Sequence, residues 1–118
     1  MHEMGVAMQI VEIAAASIPA DLAGSRVATV NLKVGKLSAI VPDSLHFCFE
    51  AVSRDTALEG ARLHITEVPV RAACNACRNE WTIDQPAFTC PACQSGDITL
   101  LTGRELDIES IELAEEEN

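Results

Sequence analysis

The chain has 118 residues, a formal net charge of −10, 48% hydrophobic residues, and only three phenylalanines and one tryptophan. That is enough for one aliphatic core plus a small, separately stapled module, while the negative charge opposes the phosphate neutralisation on which nucleic-acid binding depends and disfavours an anionic membrane surface. No apolar run approaches the roughly 20 residues of a membrane span, and the basic start and apolar run of a signal peptide are missing, so a cytoplasmic, reducing compartment is expected, where five cysteines serve as ligands or thiols rather than disulfides.

Met4, Met8, Val11, Ala15 and Ile18 recur at helical spacing, with Ala7, Ile10 and Ala14 widening the stripe, so residues 4–18 read as an amphipathic helix ended by Pro19. "RVATVNLKVGKL" (26–37) alternates Val30, Leu32 and Val34 against Asn31 and Lys33, the pattern of a strand, with Gly35 marking a turn or bulge. Leu45, Phe49 and Val52, with Cys48, predict a second helix over 43–54. "ARLHITEVPVRA" (61–72) reads as a second strand whose Pro69 prefers a sheet edge. "DITLLTGRELDIESIELA" (97–114) reads as a third strand or long β-arm leading into an acidic tail. The fold class expected is α+β: two helices packed on a small three-stranded sheet, with an inserted four-cysteine zinc-ribbon-like module. Residues 1–70 together with 97–114 would form one domain, 71–96 the insert and 115–118 the tail.

The insert contains "CNACRNEWTIDQPAFTCPAC": Cys74 and Cys77, twelve residues, then Cys90 and Cys93. Each C-x-x-C pair sits on a tight turn and offers two thiolates to one side of a tetrahedron. Four sulfurs at about 2.3 Å leave no open position, which describes a structural rather than a catalytic zinc site. The same ligands would also hold iron as in rubredoxin. A thioredoxin-like redox motif is a poorer description, because it needs one pair at a helix N-terminus.

The chain begins Met-His-Glu. A side chain as large as that of His2 blocks removal of the initiator methionine, so Met1 supplies a free amine. That amine, the peptide nitrogen and imidazole of His2, and the peptide nitrogen of Glu3 can make a square of nitrogens, the geometry of Ni(II) or Cu(II). Taken alone, a terminal histidine more often frays in solvent.

"MHE" at the start, "VGKLSAIVPDSLHFCFEAV" in the middle and C-x-x-C…C-P-x-C near the end occur together. In that combination, over essentially its whole length, the chain resembles the HypA/HybF family of nickel metallochaperones in [NiFe]-hydrogenase maturation. The resemblance implies a nickel site at Met1, His2 and Glu3, with Asp43 as a further candidate near it, and zinc on Cys74, Cys77, Cys90 and Cys93. It also implies a HypB-type GTPase partner, delivery to the hydrogenase large subunit precursor, service to urease maturation in some members, and an association with homodimers. Asp43 reads equally as the N-cap of the second helix. One departure is that Arg78 and Gln94 follow the second cysteine of each pair, where such turns often carry glycine; fewer backbone hydrogen bonds to sulfur are expected there.

His46, between Asp43 and Glu50, reads as a surface histidine. His64 points away from the face of Leu63 and Ile65, toward solvent or toward the insert, and Cys48 reads as a buried, inert thiol. No catalytic constellation stands out in the sequence, so an enzyme is not expected. The competing function is a zinc-ribbon protein-interaction or transcription accessory module in which Met-His-Glu is chance. A basic ribbon would favour that alternative, but Arg71 and Arg78 are the only bases there.

Overall fold

The structure, a computed structural model, describes residues 2–115. It is α+β, with two compact units: one from the described parts of 1–33, 39–66 and 107–118, the other from 34–38 and 67–106.

In the first unit, α1 (Glu3–Ala16) begins with an acidic residue in its first turn, where the helix dipole favours negative charge. Its C-cap is Ser17, whose hydroxyl donates to the Ile13 carbonyl at 2.7 Å. The 3₁₀ turn Ala20–Leu22 follows Pro19. The buried edge of α1 is Glu3, Ala7, Ile10 and Ala14. This corrects the expected stripe: Met4 is 46% and Met8 57% exposed. The small side chains of Ala7 and Ala14 let α1 lie close against α2 (Pro42–Val52), with which it packs, and the longer methionines are left outside. On α2, Leu45 and Phe49 are buried as the spacing predicts, and Cys48 is only half-buried.

The helices accompany a three-stranded sheet of order β2-β1-β6, formed by β1 (Val27–Gly35), β2 (Arg62–Val68) and β6 (Leu106–Leu113). Val27, Val30, Leu32, Leu58 and Leu63 join the helix residues as its buried apolar side chains. On the polar face, Asn31 Nδ2 donates to Ser110 Oγ at 3.0 Å and Glu112 Oε2 at 2.9 Å, and Lys33 Nζ lies 2.8 Å from Glu109 Oε2. Part of the C-terminal acidic run is thus spent on pairing β6 to β1. The tail expected at 115–118 lies, beyond residue 115, outside the described residues.

In the second unit, β3 (Val70–Cys74) lies between β4 (Glu80–Ile83) and β5 (Ile98–Thr102), antiparallel to both. Two single strands of the sequence reading are therefore each divided. The stretch 61–72 breaks at Pro69, which has no N–H for a ladder, into β2 and β3. The stretch 97–114 breaks around Gly103 into β5 and β6. The two breaks are neighbours: Thr102 Oγ1 donates to the Pro69 carbonyl at 2.8 Å and accepts from Arg71 N–H at 3.2 Å. Gly103, at φ 118°, lies against Val70, and a side chain at Gly35 would overlap the Gly103 carbonyl.

Candidate metal centre

Cys74 ends β3, Cys77 follows in the turn before β4, and Cys90 and Cys93 occupy the turn before β5. Their four sulfurs lie within 4.8 Å of one another, with Cys74–Cys93 and Cys77–Cys90 each at 3.6 Å. Tetrahedral metal–sulfur bonds of about 2.3 Å place sulfurs about 3.8 Å apart, so the donor set fits a four-thiolate ion. Cys74 and Cys90 are 2% and 0% exposed, while Cys77 and Cys93 face outward.

The two turns repeat one local design. Arg78 N–H donates to the Cys74 carbonyl at 2.9 Å and Gln94 N–H to the Cys90 carbonyl at 2.8 Å. Cys74 N–H in turn donates to the Asn79 carbonyl at 2.8 Å, and Cys90 N–H to the Ser95 carbonyl at 2.9 Å. Arg78 and Gln94 adopt φ 67° and 62°, the left-handed region that glycine prefers. In the first turn the expected loss of N–H···S bonds does not occur. Ala76 and Cys77 donate to Cys74 Sγ at 3.3 and 3.4 Å, and around the other sulfurs the backbone amides of Cys93 and Ala92, of Asn79 and of Ser95 favour the thiolate of Cys90, Cys77 and Cys93 in turn. Both non-glycine residues accept the backbone geometry, and in the first turn two amides still converge on sulfur.

These bonds set the thiols apart. The Cys77 amide is the main cause that lowers Cys74, against burial. At Cys90, burial pushes the thiol up, but the amides of Cys93 and Ala92 and the neighbouring Cys77 and Cys93 bring it down to about 6. At Cys77 the Asn79 amide favours the thiolate, yet the hydrogen bond with Cys90 and burial outweigh it and raise the thiol. At Cys93 the Ser95 amide is likewise outweighed by Cys74, burial, Cys77 and Cys90, which push it up to about 12. Four clustered thiols thus share protons, and a bound dication would remove them.

Among the other expected site residues, His2 is exposed at the N-cap of α1, and its carbonyl accepts from Val6 N–H at 2.8 Å. Met1 lies outside the described residues. The Glu3 carboxylate is turned inward: the residue is 7% exposed and accepts from Val41 N–H at 3.0 Å. That bond, together with one from its own amide, lowers its pKa. Asp43 is exposed and is not the cap of α2, because the helix starts one residue earlier, with Pro42 in its first turn and Val41 as N-cap. Asp43 instead contributes charge to that first turn. His46 and His64 are both exposed. Sequence reasoning missed Asn79, whose side chain donates to Cys90 Sγ at 3.9 Å. Setting "CNACRN" beside "CPACQS" matches Asn79 to Ser95 and marks both positions as part of the turn.

Comparison with known proteins gives one family. The family described as "Hydrogenase/urease nickel incorporation, metallochaperone, hypA" matches residues 1–113. A hydrogenase maturation factor HypA from Desulfosudis oleivorans is 56% identical, covering 98% of this chain and 100% of that protein. Another, from Desulfatibacillum aliphaticivorans, is 52% identical over 99% of this chain and 90% of its own length. The solution structure of the Ni metallochaperone HypA from Helicobacter pylori has the same fold, with TM-score 0.67 at 20% identity, covering 98% of this chain and 100% of that one.

Proposed function

The chain belongs to the HypA family of hydrogenase/urease nickel-incorporation metallochaperones, and we propose that it carries Ni(II) at its N-terminus and surrenders it to the hydrogenase large subunit precursor. It is a maturation factor, not an enzyme. In this reading the α-amine of Met1, the peptide nitrogen and imidazole of His2 and the peptide nitrogen of Glu3 hold the ion, and Asp43 is a further oxygen donor within reach of an incoming partner. Such a terminal chelate suits cargo better than a closed cage, because every donor can be released singly to an acceptor. The four cysteines hold zinc, which supplies a cross-link between the two turns and leaves no open coordination position. A HypB-type GTPase and the hydrogenase precursor are the partners of this reading, urease maturation proteins are second recipients, and the cytoplasm is the compartment.

The observation that supports this most is the exposed His2 at the head of α1, in a chain that the family matches from its first residue. The test is a Ni(II) titration of zinc-loaded, tag-free native protein, of His2→Ala, and of a chain with one glycine added before Met1. Stoichiometric binding that His2→Ala abolishes and the extension spectrally alters is expected. Equal binding by all three chains would move nickel away from the terminus.

A further inference from the structure

The two cysteine turns share one pair of N–H···O=C bonds, and their side chains at the matching Asn79 and Ser95 differ. Ser95 turns its hydroxyl away from the metal site: Ser95 Oγ accepts from Asp97 N–H at 3.1 Å. Asn79, at the matching place in the first turn, does the opposite, and Asn79 Nδ2 donates across to Cys90 Sγ at 3.9 Å. Asn79 is therefore hydrogen-bonded to one cysteine of each turn, Cys74 and Cys90. Its carbonyl accepts from Cys74 N–H at 2.8 Å, and its side chain reaches the fully buried sulfur of the second turn. Among the described residues, no other side-chain nitrogen or oxygen donates to a cysteine sulfur.

We propose that Asn79 is a positioning residue of the metal site, one that stitches the two cysteine turns together across the ion and slows its loss. The proposal rests on the zinc reading of the four cysteines. A thiolate that accepts an N–H bond gives up some of its electron density, so it stays ionised more readily in a buried place. The same bond fixes the direction of the Cys90 sulfur. Because the donor sits on the opposite turn, opening either turn breaks it, and the two turns are made to release the ion together. Ser95, with its side chain committed to Asp97, contributes nothing of this kind.

The test uses the full chain, loaded with zinc or with Co(II), and the variants Asn79→Ala, Asn79→Asp and Ser95→Ala. Asn79→Asp keeps the shape and the main-chain bonds but replaces the donor with an acceptor. Zinc transfer to a coloured chelator should be roughly tenfold faster for Asn79→Ala, in line with other outer contacts to metal ligands, and faster still for Asn79→Asp. Ser95→Ala should speed it less than either. In the Co(II) protein, losing the bond raises the energy of the sulfur lone pairs, so the sulfur-to-cobalt band should shift to longer wavelength in both Asn79 variants. Transfer from Asn79→Ala at the native rate, or Ser95→Ala matching it, would overturn the proposal. A native chain that takes up no Co(II) with tetrahedral thiolate bands would instead overturn the metal reading beneath it.

Discussion

The carboxylate of Glu3 holds the backbone N–H of Val41 at 3.0 Å, a contact between residues 38 apart that ties the start of α1 to the N-cap of α2. Val41 has no capping side chain of its own, so the bond supplies from α1 an acceptor beside a helix terminus whose amides have few partners. Of the residues proposed to carry nickel, Glu3 is thereby fixed to the body of the fold, and His2 directly precedes it.

Glu3→Ala should accelerate hydrogen exchange at the Val41 amide and lower the melting temperature by several degrees, whereas Glu3→Gln, which keeps an oxygen at that place, should do less. The Val41 bond, first among the causes, lowers the Glu3 pKa. The charged form therefore stabilises the fold fully above the ordinary glutamate value of about 4.3, and this contribution is lost as pH falls through the lower folded-state value. The gap in urea midpoint between native and Glu3→Gln should be widest near neutral pH and close in acid. Acid protonation of the cysteines is common to both chains and cancels. A gap that widens in acid would remove the charged-acceptor account.

Gly35 ends β1, with its N–H bonded to the Glu105 carbonyl at 2.7 Å, and an added Cβ would meet the Gly103 carbonyl carbon and oxygen and Arg104 N. Those atoms are backbone and cannot step aside by rotating. Gly35→Ala should destabilise by about 1–3 kcal/mol, the usual cost of overpacking, while Gly5→Ala, with open space around it, should not. Denaturant midpoints of the two variants decide the matter.

Alternation and spacing made β1 and α2 legible, because each buries one face of a simple period: Val30 and Leu32 on the strand, Leu45 and Phe49 on the helix. The cysteine turns were legible for a different reason, since metal geometry restricts the spacing of its ligands. The breaks at Pro69 and Gly103 were visible as residues but not as changes of sheet, which depend on partners far along the chain. The inward turn of Glu3 left no periodic trace, because an acidic residue in a first helical turn reads as solvated. The burial of Ala7 and Ala14 over Met4 and Met8 was decided by the close approach of two helices, which no single-helix pattern contains.

Arg78 and Gln94 hold left-handed backbone conformations at φ 67° and 62°. For a residue with a Cβ this costs about 1–2 kcal/mol, offset in part by the extra freedom glycine has when unfolded, about 0.5–1 kcal/mol. Arg78→Gly and Gln94→Gly should each stabilise the metal-loaded protein slightly, by about 0.5–1 kcal/mol, read as a higher denaturant midpoint. A loss of stability in both would mean that the Arg78 and Gln94 side chains contribute contacts worth more than the strain.

Stripping the metal should unfold the cysteine module and spare α1 and α2. Between residues 74 and 93 the buried residues are Cys74 and Cys90 themselves; Trp81 and Ile83 are half-buried and Phe88 is 43% exposed. That apolar surface is too small to order the segment alone, whereas structural zinc contributes about 10–16 kcal/mol in comparable small peptides. The pairing of Ala72 with Trp81 and of Ala73 with Glu80 lies directly beside the first cysteine turn and should be lost with it. A chelator should therefore shift Trp81 fluorescence to longer wavelength and abolish amide protection in β4 and both turns. Protection at Ile10 and Phe49, buried in α1 and α2, should persist. Retained protection across 74–93 in metal-free protein would show that β3, β4 and β5 hold the turns without an ion, and the cysteines would then be a site the fold presents rather than one the metal builds.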